Sequence, residues 1–255
     1  MREFECPQPI TLAVSLPAGS LEVVAEARDT ATVDVQPYDE SGRDAEDRTI
    51  VELRGDTLVV ELPQGSWRRW RGGRIRVRVR VPEDSRLRLK LASADARCEG
   101  RYGASSASSA SGDVAIEHVG GDLSVDVASG DIRLGRVDGN LNVETASGDL
   151  VLAEAGSSVR VRTASGDVRL ESVHRGETSV GTASGDVKVG VAAGTGVWLD
   201  LSTVAGTTRS DLAMGTDLTT GTGSPSNGTP DLTLRIRTAS GDIQLRRVTA
   251  VPAAS

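Results

Sequence analysis

Six aspartates recur in this sequence at the same place in the same tetrapeptide. ASGD begins at Ala110, Ala128, Ala146, Ala164, Ala183 and Ala239, so Asp113, Asp131, Asp149, Asp167, Asp186 and Asp242 form one series. The first four starts are 18 residues apart and the fifth follows after 19. If each interval is one coil of a stack, consecutive carboxylates lie about 4.8 Å apart. Two charges at that spacing repel by roughly 1 kcal/mol even in bulk water. Turn N–H groups, arginines or bound cations must offset this. Oxygen-rich turns suit a hard cation, and weak calcium binding by the ladder is one reading. The calcium-binding pattern G-G-x-G-x-D, however, has glycines that these turns lack. The expected role is therefore turn formation.

The adjacent serines, Ser111, Ser129, Ser147, Ser165, Ser184 and Ser240, recur just as regularly. Nucleophilic catalysis needs one special position with a positioned base, so identical recurrence marks these as structural. His118 and His174 are the chain's only imidazoles, and both fall near half-turns away from the ASGD corners. A threonine series (Thr145, Thr163, Thr182, Thr238) resembles the stacked threonines of ice-binding solenoids. It shares the parity of Val and Leu positions, which points to inward β-branched packing. Cys6 and Cys98 lie far apart with no C-x-x-C spacing, so neither a disulfide framework nor a zinc site is expected.

A second candidate is basic. The strand RIRVRVRV places Arg74, Arg76, Arg78 and Arg80 on one face and Ile75, Val77, Val79 and Val81 on the other. Just before it, SWRRWRGG sets Trp67 and Trp70 among Arg68, Arg69 and Arg71. Residues 1–65 carry 5 basic and 14 acidic side chains, residues 66–91 carry 10 basic and 2 acidic. One reading is a patch for a protein, an anionic polymer or a membrane surface, with the Trp–Arg loop as a hot spot. The other is an exposed sheet face whose arginines pair with acids such as Glu52 and Glu61, beside a Trp pair that lids the core.

The elements that position these residues follow from periodicity. Leu123, Val125 and Val127 alternate with Ser124 and Asp126; one coil later Leu141, Val143 and Thr145 alternate with Asn142 and Glu144. Return strands follow the same rule in Ile132 and Leu134, then Leu150 and Leu152, then Val168 and Leu170. Period-2 alternation reads as half-buried β-strand. Gly121-Asp122 and Gly139-Asn140 mark half-periods of nine, so each coil is two strands and two tight turns. The fold class is all-β: a parallel β-solenoid of about 18-residue, two-strand coils with an N-terminal β cap.

Residues 1–91 form that cap, read entirely as strands and turns and continuous with the solenoid; residues 92–246 are the repeats, beginning with the degenerate ASAD at Ala92. A weak copy at Val204-Ala205-Gly206 divides the last long interval, a polar insertion occupies 212–230, and 247–255 is expected to be a flexible tail.

Composition narrows the function. Aromatic residues make up 2% of the 255-residue chain, with one Phe, so the core is aliphatic. A net charge of −7 gives no case for a nucleic-acid surface. No run of 18 apolar residues exists, so no transmembrane segment is expected. The first ten residues lack the basic region and apolar run of a secretory signal, which makes the cytoplasm the expected location. No cofactor is expected.

With its repeats in view, the chain resembles a bacterial putative-adhesin family of unknown function whose members carry β-strand repeats. The resemblance spans nearly the whole chain. It rests on PAGSLEVVA, GGRIRVRVRVPEDSRLRL, the tandem ASGD coils, GVWLDLSTVAG and the closing RTASGDIQL. It implies a parallel β-solenoid without known catalytic residues. The expected function is a non-catalytic scaffold or interaction module. The alternatives are a bactofilin-like polymer and a carbohydrate-active β-helix, for which tight turns and scarce aromatics offer poor support.

Overall fold

A computed structural model describes residues 1–63, 73–212 and 231–248. Its N-terminal elements are β1 (Arg2–Glu5), β2 (Thr11–Glu26), β3 (Thr30–Pro37), α1 (Glu40–Arg48), β4 (Ile50–Arg54), β5 (Thr57–Glu61), β6 (Ile75–Pro82) and β7 (Arg86–Tyr102). Strand pairs follow, one pair per coil: β8 (Ser105–Ser111) with β9 (Val114–Val119), β10 (Leu123–Ser129) with β11 (Ile132–Val137), and β12 (Leu141–Ser147) with β13 (Leu150–Ala155). The rest are β14 (Val159–Ser165) with β15 (Val168–Val173), β16 (Gly176–Ser184) with β17 (Val187–Ala192), β18 (Val197–Ala205) with β19 (Thr208–Ser210), and β20 (Leu232–Ser240) with β21 (Ile243–Val248).

Two parallel sheets face each other across an aliphatic interior. One runs β8, β10, β12, β14, β16; the other runs β9, β11, β13, β15, β17, with like residues of successive coils side by side. Leu141 sits beside Val159, Val143 beside Val161 and Thr145 beside Thr163. Their side chains are buried. Burying each Val or Leu contributes roughly 1.5–3 kcal/mol, and a coil realises that gain only with neighbours above and below.

The corner between sheets explains the invariant glycine. Gly148 has φ +129°, and a Cβ there would lie 2.1 Å from the carbonyl oxygen of Gly130 in the preceding coil. Both the backbone conformation and the stacking distance exclude a side chain.

The same register extends through β7 and β2, each a complete coil in one long bent strand. Thr11 to Leu16 pair with Arg86 to Leu91, and Gly19 to Val24 pair with Ala94 to Glu99. Pro17-Ala18-Gly19 is thus a solenoid corner, with Gly19 at φ +125°.

Coil order departs from chain order at both ends. β2 lies between β7 and the coil formed by β5 and β6. At the other end, β20 pairs with both β16 and β18, and β21 with both β17 and β19. The last coil in sequence is therefore inserted one place before the end. The copy at Val204-Ala205-Gly206 does stack on the corner column, with Ala205 beside Ser240, but in the outermost position.

The N-terminal end is closed differently. β3 pairs antiparallel with β6, β1 with β3, and β4 with β5. Residues 1–91 are not β throughout, because α1 interrupts them. Asp39 caps it by accepting from the Gly42 N–H, Glu40 opens its first turn and Arg48 closes its last, charges that suit the helix dipole. No helix among the described residues is long and apolar enough to cross a membrane.

Candidate binding faces

The six aspartates stand in one column, and their carboxylates join the coils. The backbone N–H of Asp131 donates to Asp113 Oδ1 at 2.9 Å, that of Asp149 to Asp131 at 3.1 Å, and that of Asp167 to Asp149 at 2.9 Å. Asp186 and Asp242 continue the chain at 2.9 Å each. It starts at Asp95, which accepts from Asp113 at 3.0 Å, and ends with Thr207 donating to Asp242 at 2.8 Å. Charge-assisted bonds of this kind offset the repulsion along the column. Arg133 adds to this, lying 2.8 Å from Asp131 and 3.6 Å from Asp113. The bonds from Thr207 hold the Asp242 carboxyl below its ordinary value. Among the described residues, no group of three or more His, Cys, Asp or Glu side chains converges to hold a metal ion.

The serine column is exposed, and its carbonyls carry the corner: Gly148 N–H donates to Ser165 O at 3.2 Å, for example. The threonine column points inward. Thr163, Thr182 and Thr238 each donate to the carbonyl of the corner serine two residues on, at 3.1 Å. The β-branched methyl fills the core while the hydroxyl satisfies an edge acceptor.

Both histidines belong to a charged row along the second sheet that the sequence did not reveal. His118 Nε2 is 2.9 Å from Asp138 Oδ2, and Arg136 donates to Asp138 at 2.6 Å and to Glu154 at 2.9 Å. His174 Nε2 lies 3.3 Å from the same Glu154. Partial burial raises the Asp138 carboxyl, but the bonds from His118 and Arg136 outweigh it and hold it below its ordinary value. The residues of this row come from different coils, so only stacking brings them together.

The arginines of the basic strand are partnered, two by carboxylates and two by an aromatic ring. Arg78 Nε donates to Glu22 at 2.9 Å, and Arg80 lies 3.5 Å from Glu26. Arg74 and Arg76 stand over the Tyr38 ring at 5.1 and 4.9 Å, a cation–π arrangement. The acids are thus on β2, the parallel neighbour, not Glu52 and Glu61; Glu52 pairs with Arg54. Trp67, Arg68, Arg69, Trp70 and Arg71 lie outside the described residues.

The segment 74–90 divides between the two outer faces. Arg76 to Arg80 belong to the sheet of β3 and the second half of β2, whereas Arg86, Arg88 and Lys90 pair beside Thr11, Ala13 and Ser15 on the other sheet. These three are exposed and, among the described residues, make no ion pair or side-chain hydrogen bond. Their R-L-R-L-K-L alternation carried the signal in the sequence; the missing acidic neighbours become visible only with the register.

A family model described as Toastrack DUF4097 matches residues 13–246. Among solved structures, one described as a putative adhesin from Parabacteroides distasonis is 10% identical, with TM-score 0.59 and 95% of each chain covered. Another from that organism, described as a putative lipid binding protein, is 11% identical with TM-score 0.48, covering 96% of each chain. No curated protein matches the sequence.

Proposed function

We propose that this chain, which belongs to the Toastrack DUF4097 family, is a non-catalytic interaction module that binds a surface or polymer across the flat outer faces of its stacked coils. The observation that carries this reading is how the reactive side chains are placed. The recurring aspartates accept backbone N–H groups of the next coil, and both histidines face carboxylates within the charged row. Residues that would serve as base or ligand elsewhere are here the joints of a rigid rod. Outward positions of both sheets, by contrast, form long charged and polar rows that a partner can reach. The description of a structural neighbour as a putative adhesin agrees with a binding role. The antiparallel strands across the N-terminal end oppose stacking of one rod on another, which disfavours the polymer alternative.

The test is retention of the labelled full chain on bacterial envelopes, mucin and matrix protein. Saturable retention that heat unfolding abolishes supports the reading. Absence of saturable retention on all three, or cleavage of the bound material, overturns it.

A further inference from the structure

We infer that the outer face around Arg86, Arg88 and Lys90 is a binding site for an acidic polysaccharide, one whose sugars carry carboxylate or sulfate groups. The inference rests on the interaction-module reading and names its partner.

The three cations occupy alternate positions of β7, so they project from the same face about 6.6 Å apart. Their lateral neighbours are short. Arg88 lies between Ala13 and Ser106, and Lys90 between Ser15 and Ser108. The acids around the row have other partners or stand off from it. Asp84 beside Arg86 pairs with Arg101, and Asp122 accepts from Asn140. Glu61 beyond Ser15 and Asp126 beyond Ser108 are two strands away, about 9.6 Å. Elsewhere on this sheet the pattern differs: Arg162 meets Glu144 at 3.1 Å and Arg235 meets Glu177 at 2.8 Å. On the opposite face of the same coil, Arg97 meets Glu99 at 2.8 Å. The β7 row is thus a run of three cations that, among the described residues, form no ion pair, where the pairing of charges seen along the rod is interrupted.

The surroundings select the kind of anion. A shallow groove of about 500 Å³ runs from Arg86 and Arg88 across Ser106, Ser124 and Asn142, with Asp122, already bonded to Asn140, in its lining. Hydroxyl and amide groups there can exchange hydrogen bonds with sugar hydroxyls, while the cations meet the acidic groups. Single-stranded nucleic acid calls for aromatic stacking platforms, and a bilayer for an apolar wedge beside the charges. The described residues of this groove offer neither.

The experiment uses the full chain with heparin and polygalacturonate as probes, and dextran, phosphatidylglycerol-containing vesicles and poly(dT) as comparisons. Wild type is expected to bind both acidic polysaccharides, with log affinity falling against log salt at a slope of about −2 for three displaced counterions. R86E/R88E/K90E is expected to lose at least tenfold in affinity with an unchanged unfolding midpoint. Arg97→Glu on the opposite face is expected to change it less than twofold. Wild-type binding no better than to dextran overturns the inference, as does a triple variant that binds like wild type. Tighter binding to vesicles or poly(dT) overturns it too. If envelopes retain the chain while both acidic polysaccharides do not, this inference alone falls and the interaction-module reading stands.

Discussion

At the scale of single residues, each corner aspartate performs two tasks that substitution can separate. Asp149 accepts the Asp167 N–H and donates its own N–H to Asp131. Asparagine keeps the acceptor and removes a charge from the column, whereas alanine leaves an N–H without its partner. Asp149→Ala is therefore expected to destabilise by ~1 kcal/mol and Asp149→Asn by much less, measured by urea denaturation. Because one oxygen of each corner carboxylate is already engaged by a backbone donor and no group of carboxylates converges among the described residues, added calcium is expected to leave the midpoint of either protein unchanged. Asp138 gives a pH signature instead. Its carboxyl is held below the ordinary value of 3.8, so it contributes stability that is present above that value and is lost as pH falls through the lower folded value. The difference in urea midpoint between wild type and Asp138→Asn is expected to shrink as pH drops below 3.8; a difference that persists undiminished through strong acid would contradict the pairing.

At the scale of elements, alternation and corner chemistry were legible in the sequence because each strand writes its own burial pattern. Leu150 and Leu152, Val168 and Leu170, and the inward threonines all fall where period-2 reading places them. Contacts between coils were not legible, since they depend on which residues become neighbours. The Arg78–Glu22 and His118–Asp138 pairs join residues 56 and 20 positions apart. The helix α1 was missed for another reason: nine residues with a mostly polar composition carry too little apolar periodicity, and only the Asp39 cap marks it. Element position also sets sensitivity to mutation. Leu152 is fully buried in a central coil, whereas Leu199 lies half-buried in the outermost one. Leu152→Ala is expected to cost about 2–5 kcal/mol and Leu199→Ala under about half of that, compared by thermal and urea unfolding.

At the scale of the whole molecule, the chain forms a rod whose two ends are built by displacement of the expected order. β2 is tucked inside the coil of β5 and β6, and β20 with β21 inside the coil of β18 and β19. Strands β2, β20 and β21 are thereby paired on both sides, and the outward edge at the far end falls to β18 and β19, which pair only with β20 and β21. Repeat counting alone reads coils in chain order, and nothing in the spelling of ASGD at Ala239 distinguishes an inner place from an outer one. The stack itself, and the use of its outer faces, depends on this arrangement.

Spin labels on the exposed corner positions Ser111, Ser240 and Ala205 measure that order directly by pulsed electron resonance. The native thiols do not interfere: Cys6 and Cys98 are buried, and burial pushes Cys98 up to about 12. Five coil steps separate Ser111 from Ser240 and six separate it from Ala205, so distances of about 24 and about 29 Å are expected at 4.8 Å per step. A shorter distance to Ala205 than to Ser240 would contradict the inserted final coil, and broad, unstructured distributions for both would contradict the stack.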